Sequence, residues 1–394
     1  MASRLSLPAG NIEWRLIIAG TCLFAAGAFA GGLFGKPNES YIHRSPRSTL
    51  LPKLSEEEKG RLPYPPDVLP GARDVDTPYG SIRVYEFGPE DGRKVLLVHG
   101  ISTPAIALGA VANALVDNGC RVMLFDLFGR GYSDTASDLR HDIRLFTTQI
   151  LLVLASSPLS WTGKQSGKFA LIGYSLGGGI ATTFTSYFPD LVDSLVLFAP
   201  AGLVRPYHIS RQSRIIYSEG IIPDPIIQRL VKQRLRSPMA APPKDPRKTR
   251  KVDATEAVQA EVNIESNSRA VLSKARPHVT VEKAVLHQLD HYPGFVPAFI
   301  SSIRYGPIRT EHDRWRIVGE RLSQQNKENG TQKKVFIVLG ATDPIIIKQE
   351  LEEDARELLS DNVEFAVFDA AHDVPITKGK EVVEAVLDFW KRTD

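Results

Sequence analysis

Three observations predict an α/β fold with a mainly parallel sheet flanked by helices on both faces. From about residue 94 to 199, short apolar runs alternate with longer stretches of helical periodicity. The alternation returns from about residue 311. At 168–188, one apolar run passes into a helix through a tight glycine-bearing turn. Buried strands separated by helices need crossover connections, and crossovers join parallel strands.

The elements follow in order. Residues 1–15 form an N-terminal tail, and Leu16 to Gly35 are twenty residues without a charge, bounded by Arg15 and Lys36. As a helix this run spans ~30 Å, one bilayer core, and we read it as a single-pass membrane anchor. Two alternatives stay open: a secretory signal, with Ala28-Phe29-Ala30 as the cleavage site, and an organellar transit peptide. Basic residues are more frequent after the run (Lys36, Arg44, Arg47, Lys53) than before it (Arg4, Arg15). That balance leans toward a cytosolic catalytic domain, and the membrane we expect is an endomembrane. The sequons at Asn38 and Asn329 matter only if the domain faces a lumen. Residues 36–70, punctuated by Pro46, Pro52, Pro63, Pro65 and Pro66, read as a linker.

The core is expected in 71–202 and 308–394. Arg73–Thr77 and Ser81–Phe87, around Pro78-Tyr79-Gly80, make a hairpin. Strand 94–99, helix 105–117, strand 121–126, helix 142–155, strand 168–173, helix 176–188 and strand 193–199 follow. The rhythm breaks over 203–307, where helical segments at Pro225–Arg236, Glu282–Gln288 and Phe295–Arg304 suggest a cap that shapes a pocket and excludes water. Within it, Pro242 to Asn267 is polar, and Lys244 to Lys251 carries five bases against one acid. A solvated loop is the plain reading of that run, and contact with anionic headgroups the other. There is no internal repeat.

Chemistry concentrates at four places. Gly173-Tyr174-Ser175-Leu176-Gly177 fits G-x-S-x-G between a strand and a helix, where the sharp turn exposes the serine hydroxyl. A hydroxyl is a weak nucleophile and needs a base with a group to orient it. The apolar strand Val335 to Leu339 ends in Gly340-Ala341-Thr342-Asp343-Pro344, and Val363 to Phe368 is followed by Asp369-Ala370-Ala371-His372-Asp373. Asp343 and His372 therefore sit on loops past strand ends, in the chain order serine, acid, histidine. The fourth place is the turn His99-Gly100-Ile101 after the strand at 95–98, where the Ile101 N–H can converge with the Leu176 N–H as an oxyanion hole. Asp126 and Asp134 read as braces of their loop, Asp373 as pointing away from the base, and Cys120 as a small core residue.

These residues, with Asp126 to Asp134 (DLFGRGYSD), resemble the α/β-hydrolase fold serine hydrolases of the esterase and lipase type, over most of the chain from about residue 72. The resemblance implies the fold and a serine hydrolase reaction with a Ser175–His372–Asp343 triad, and says little of the substrate. Relatives that are epoxide hydrolases or dehalogenases carry aspartate at the elbow, so Ser175 argues against those activities. The loop Pro200-Ala201-Gly202-Leu203 has no carboxylate, which leaves Asp343 as the acid.

Composition removes other classes. The chain has 394 residues with 48 basic against 45 acidic, so a nucleic-acid partner is not expected. Two cysteines, Cys22 and Cys120, rule out a disulfide framework. No Cys/His cluster has metal spacing and no glycine-rich phosphate loop is present, so no metal and no cofactor are expected. The expected function is a membrane-associated hydrolase that cleaves a carboxylic ester, small or lipid-derived, through an acyl-serine. Natural-product tailoring by hydrolysis or acyl transfer, carbon–carbon cleavage, amide or thioester hydrolysis, and a non-catalytic binding role are the alternatives. Substrate identity and oligomeric state are not encoded in any motif.

Overall fold

The computed structural model describes residues 18–23, 41–162, 167–236, 260–262, 267 and 270–393. The chain divides into two compact units, residues 1–41 and 42–394. In the first, 18–23 are helical, and the remainder of the expected anchor, the tail before it and the Asn38 sequon lie outside the described residues. Among the described residues no helix is long and apolar enough to cross a membrane.

The second unit is built on an eight-stranded sheet. Its strands are β1 (Ala72–Val75), β2 (Ile82–Phe87), β3 (Arg93–Val98), β4 (Cys120–Phe125), β5 (Phe169–Tyr174), β6 (Val192–Phe198), β7 (Val335–Gly340) and β8 (Val363–Phe368). They lie in the order β8-β7-β6-β5-β3-β4-β2-β1. β1 pairs antiparallel with β2, and β2 with β4; the other pairs are parallel. Every residue of β5 and β7 is buried, which a sheet achieves only when both faces are covered. Helices α1 (Gly109–Asp117), α2 (Ile143–Ala155), α3 (Leu176–Tyr187), α7 (His312–Asn329), α8 (Lys348–Leu359) and α9 (Gly379–Thr393) supply that cover. α1 packs on α9, while α2, α3, α7 and α8 contact one another in series. The Asp142 carboxylate caps α2 by accepting the N–H groups of Arg144 and Leu145, two donors the helix itself cannot satisfy.

Strand boundaries fall within a residue or two of the sequence reading. Two stretches differ from it. The described part of 36–70 is no loose linker: Tyr64, Val68 and Leu69 are buried in the core. The Tyr64 hydroxyl donates to Asp126, and Ser45 is buried with its N–H on Asp134. Prolines here set helix starts, as at Pro46, rather than keeping the chain extended. The second difference is in the insertion 242–267. Most of it, including the basic run 244–251, lies outside the described residues, but Glu261, Val262 and Asn267 are all buried.

Among the described residues of 203–307, the cap carries helices α4 (Asp224–Arg236), α5 (Val281–His291) and α6 (Phe295–Tyr305). α4 buries Ile227, Val231 and Leu235, one stripe at helical spacing. Gln288 of α5 ties the cap to the core twice, accepting the Gly131 N–H at 2.6 Å and donating to the Ser102 carbonyl at 3.0 Å.

Candidate active site

β5 delivers Ser175 into a turn with φ 53° and ψ −118°, a strained region for a residue with a β-carbon. The turn closes so tightly that a β-carbon at Gly173 would lie 2.2 Å from the Gly177 carbonyl oxygen, and one at Gly177 would lie 2.1 Å from that of Val98. Glycine at both positions lets β5, β3 and α3 meet there. The strain is held by the backbone: the Ser175 N–H donates to the Phe198 carbonyl at 3.0 Å, and the Ser175 carbonyl accepts from Ala201 at 2.9 Å.

Loops beyond β7 and β8 bring the other two groups to it. His372 Nε2 lies 2.9 Å from Ser175 Oγ, and His372 Nδ1 lies 2.8 Å from Asp343 Oδ2. A carboxylate can only accept, which assigns the ring proton to Nδ1 and leaves Nε2 to accept from the serine hydroxyl. Asp343 is fixed in turn by its own loop, whose Ile345 and Ile346 N–H groups donate to Oδ1 at 2.7 and 2.9 Å. All three side chains are buried. Burial pulls the His372 imidazole toward neutrality, but the charge and hydrogen bond of Asp343, with Glu261 and Asp373 behind, outweigh it and the net shift is upward.

The turn after β3 is organised by His99. The Leu127 N–H donates to its Nε2 at 2.9 Å, so Nδ1 carries the proton and donates to the Gly100 carbonyl at 2.8 Å. Burial lowers this imidazole to about 3, so it stays neutral and holds the β3 turn against the loop after β4. Leu176 opens α3, and its N–H is one of the four that a helix start leaves without an intrahelical acceptor. The Ile101 N–H is not open: it donates to Glu261 Oε1 at 3.2 Å.

Asp126 and Asp134 brace, as their positions suggest. Asp126 accepts the N–H groups of Ala105 and Tyr132 and the Tyr64 hydroxyl, and burial pushes its carboxyl up to about 6 despite those bonds. Asp134 accepts the N–H groups of Ser45 and Ser81. Asp373 begins the short helix 374–377 and does not take the Asp343 position. Cys120 is a buried free thiol at the start of β4.

Three residues near the site had no sequence signal of their own. Arg130, fully buried, donates to the Ile101 and Phe128 carbonyls and to Ser302 Oγ of α6, so it clamps the β3 turn to the cap. Gln288 and Glu261 come from the cap, which has no motif to single them out. Only DLFGRGYSD hinted at Arg130, because its two flanking glycines mark a backbone that must turn closely.

A family model described as serine aminopeptidase, S33, matches residues 89–266, which include the β3 turn and the elbow but neither Asp343 nor His372. A serine hydrolase-like protein of Danio rerio is 28% identical over 131 residues, 33% of this chain and 38% of that protein. An uncharacterized protein of Mycobacterium tuberculosis is 28% identical over 153 residues, 39% of this chain and 42% of its own length. The matches thus span less than half the length of these curated relatives. Among solved structures, a thermophilic esterase from Thermogutta terrifontis superposes with a TM-score of 0.54 at 19% identity, covering 81% of this chain and 98% of that one. A membrane phospholipase A, described as a bacterial virulence factor, gives 0.53 at 16% identity, covering 96% and 98%. At such identities these structures share the fold.

Proposed function

We propose that this chain, a serine hydrolase of the α/β-hydrolase fold, cleaves a carboxylic ester through an acyl intermediate on Ser175. The observation that carries the reading is the continuous relay Ser175 Oγ, His372 Nε2, His372 Nδ1, Asp343 Oδ2, with both links under 3 Å. Ser175 attacks the carbonyl carbon as His372 takes its proton, and the carbonyl π electrons move to oxygen. Asp343 keeps the imidazole in the accepting tautomer and stabilises the imidazolium. The N–H groups of Leu176 and Ile101 receive the oxyanion. Collapse of the tetrahedral species expels the alcohol, which takes the proton from His372. Water then attacks the acyl-Ser175 by the same route and releases the acid.

The substrate we favour is a lipid-derived ester met at a membrane. What supports it is the uncharged run 16–35 and the exposed Ile215, Ile221, Ile226 and Leu230 of the cap. The test is labelling by a fluorophosphonate probe together with hydrolysis of p-nitrophenyl esters of increasing acyl length. Wild type should label and turn over, and longer acyl groups should be preferred. Ser175→Ala should do neither, with activity lower by about 10⁴–10⁶. A folded wild type that neither labels nor hydrolyses any ester would overturn the reading.

A further inference from the structure

The donors of an oxyanion hole are arranged for a negatively charged oxygen, and here the chain already presents one. Glu261, from the cap segment, is fully buried. Its Oε1 accepts the Ile101 N–H at 3.2 Å, and its Oε2 accepts the Ser102 N–H at 3.2 Å and a hydrogen bond from the Ser102 hydroxyl. Space for the carboxylate is built into the core: a β-carbon at Gly100 would lie 2.4 Å from Glu261 Oε1. The residue is also held from its own side, since Asn267 Nδ2 donates to the Glu261 carbonyl at 2.9 Å and Val262 is buried. The buried Arg130 guanidinium, which holds the Ile101 carbonyl, feels the charge of this carboxylate.

We infer that Glu261 is an internal competitor for the oxyanion site, an autoinhibitory contact that must leave Ile101 before a substrate carbonyl can be activated. The inference rests on the hydrolase reading of Ser175 and Ile101. A hydrogen bond to a carboxylate is roughly twice as strong as one to a neutral acceptor, so an ester carbonyl in its ground state competes poorly for that N–H. A fixed negative charge beside the same donor also opposes the oxyanion as it forms. The carboxylate matches the acid that ester hydrolysis releases, so Glu261 stands where a bound product would place its own oxygens. Glu261 and Ile101 are 160 residues apart, so the contact exists only in the folded chain. The side chain, not the backbone, occupies the donor.

The experiment compares second-order rate constants for fluorophosphonate labelling of the full chain and of Glu261→Gln, Glu261→Ala and Ser102→Ala, with Ser175→Ala as the blank. Inhibition of ester hydrolysis by butyrate is measured in parallel. Losing one oxyanion donor costs about 10²–10³ in rate, which sets the ceiling for regaining it. Labelling of Glu261→Ala should be faster by about tenfold or more within that ceiling. Glu261→Gln should gain less, because an amide oxygen still accepts the N–H but carries no charge. Ser102→Ala loosens the carboxylate and should gain least. Butyrate should inhibit the Glu261 variants more strongly than wild type, an effect that a purely structural role would not produce. Wild-type labelling at Ser175 that is unchanged or slower in a folded Glu261→Gln overturns the inference and leaves the hydrolase reading standing. Absence of Ser175-dependent labelling in every folded variant overturns both.

Discussion

Asp343 and Glu261 are both buried carboxylates that raise the affinity of His372 for a proton, yet they are held in opposite ways. Asp343 sits on the loop after β7, and its free oxygen is fixed by N–H groups two and three residues further along. Its geometry is a property of one short segment, and any chain with that strand end and that turn would offer the carboxylate to the same place. Glu261 has no such local support for its side chain. Its partners Ile101 and Ser102 lie 160 and 159 residues away, on the opposite side of the elbow in sequence. Both groups still act across the fold, since His372 meets Ser175 over 197 residues and Glu261 meets Ile101 over 160; what differs is that the Asp343 carboxylate is also fixed by its own loop.

The sharpest way to break this comparison is to change the acid while keeping its shape. Asp343→Asn keeps an acceptor for Ile345 and Ile346 but reverses the tautomer of His372, and ester hydrolysis at neutral pH should fall by about 10⁴ with the fold unchanged by circular dichroism. A loss of less than tenfold would mean that the relay does not limit the reaction. The pH profile sharpens the same point. His372 must be neutral to accept the serine proton, and its proton affinity is raised, so activity should be lost as pH falls through a midpoint above the ~6.5 of a free imidazole. In a variant that retains measurable turnover, Glu261→Gln, that midpoint should move down, because one of the charges that raises it is gone.

Two smaller effects probe the supports. Asp126→Ala strands the N–H groups of Ala105 and Tyr132 inside the core, and urea unfolding should show a loss of about 3 kcal/mol. Ser302→Ala removes the hydroxyl that accepts from Arg130, together with its own bond to the Ala298 carbonyl, and should cost about 1 kcal/mol, with kcat little changed. A large fall in kcat for Ser302→Ala would show that the cap, through Arg130, sets the β3 turn directly.

Much of the fold was legible because the signals are local. Periodicity marked β3 to β8 and helices α1 to α3, and strand ends placed Ser175, Asp343 and His372 on the turn or loops just past β5, β7 and β8. The stretch 36–70 was misleading because proline frequency reports backbone stiffness and not burial. Tyr64 is an ordinary tyrosine in sequence and becomes a core residue because Asp126 and Tyr85 meet its hydroxyl and Tyr132 stacks on its ring. The cap was legible as helical, and its one functional carboxylate was not. Glu261 lies in a polar stretch with other glutamates, Glu256 and Glu265, and nothing in the spacing distinguishes it from them.

By itself, then, the amino-acid sequence determined the succession of strands and helices along the chain, the strained serine at the end of β5 and the two partners downstream of it. Each of these follows from sterics and hydrogen bonding within a few residues: the glycines that let β3, β5 and α3 meet, the strand ends, and the turn at Asp343. Only the tertiary structure decided that the Ile101 N–H is already engaged, that His99 is a neutral brace, and that Arg130 and Gln288 join the β3 turn to the cap. Those outcomes depend on which distant polar groups are brought together out of water, where each buried donor has to find an acceptor that packing has placed within reach.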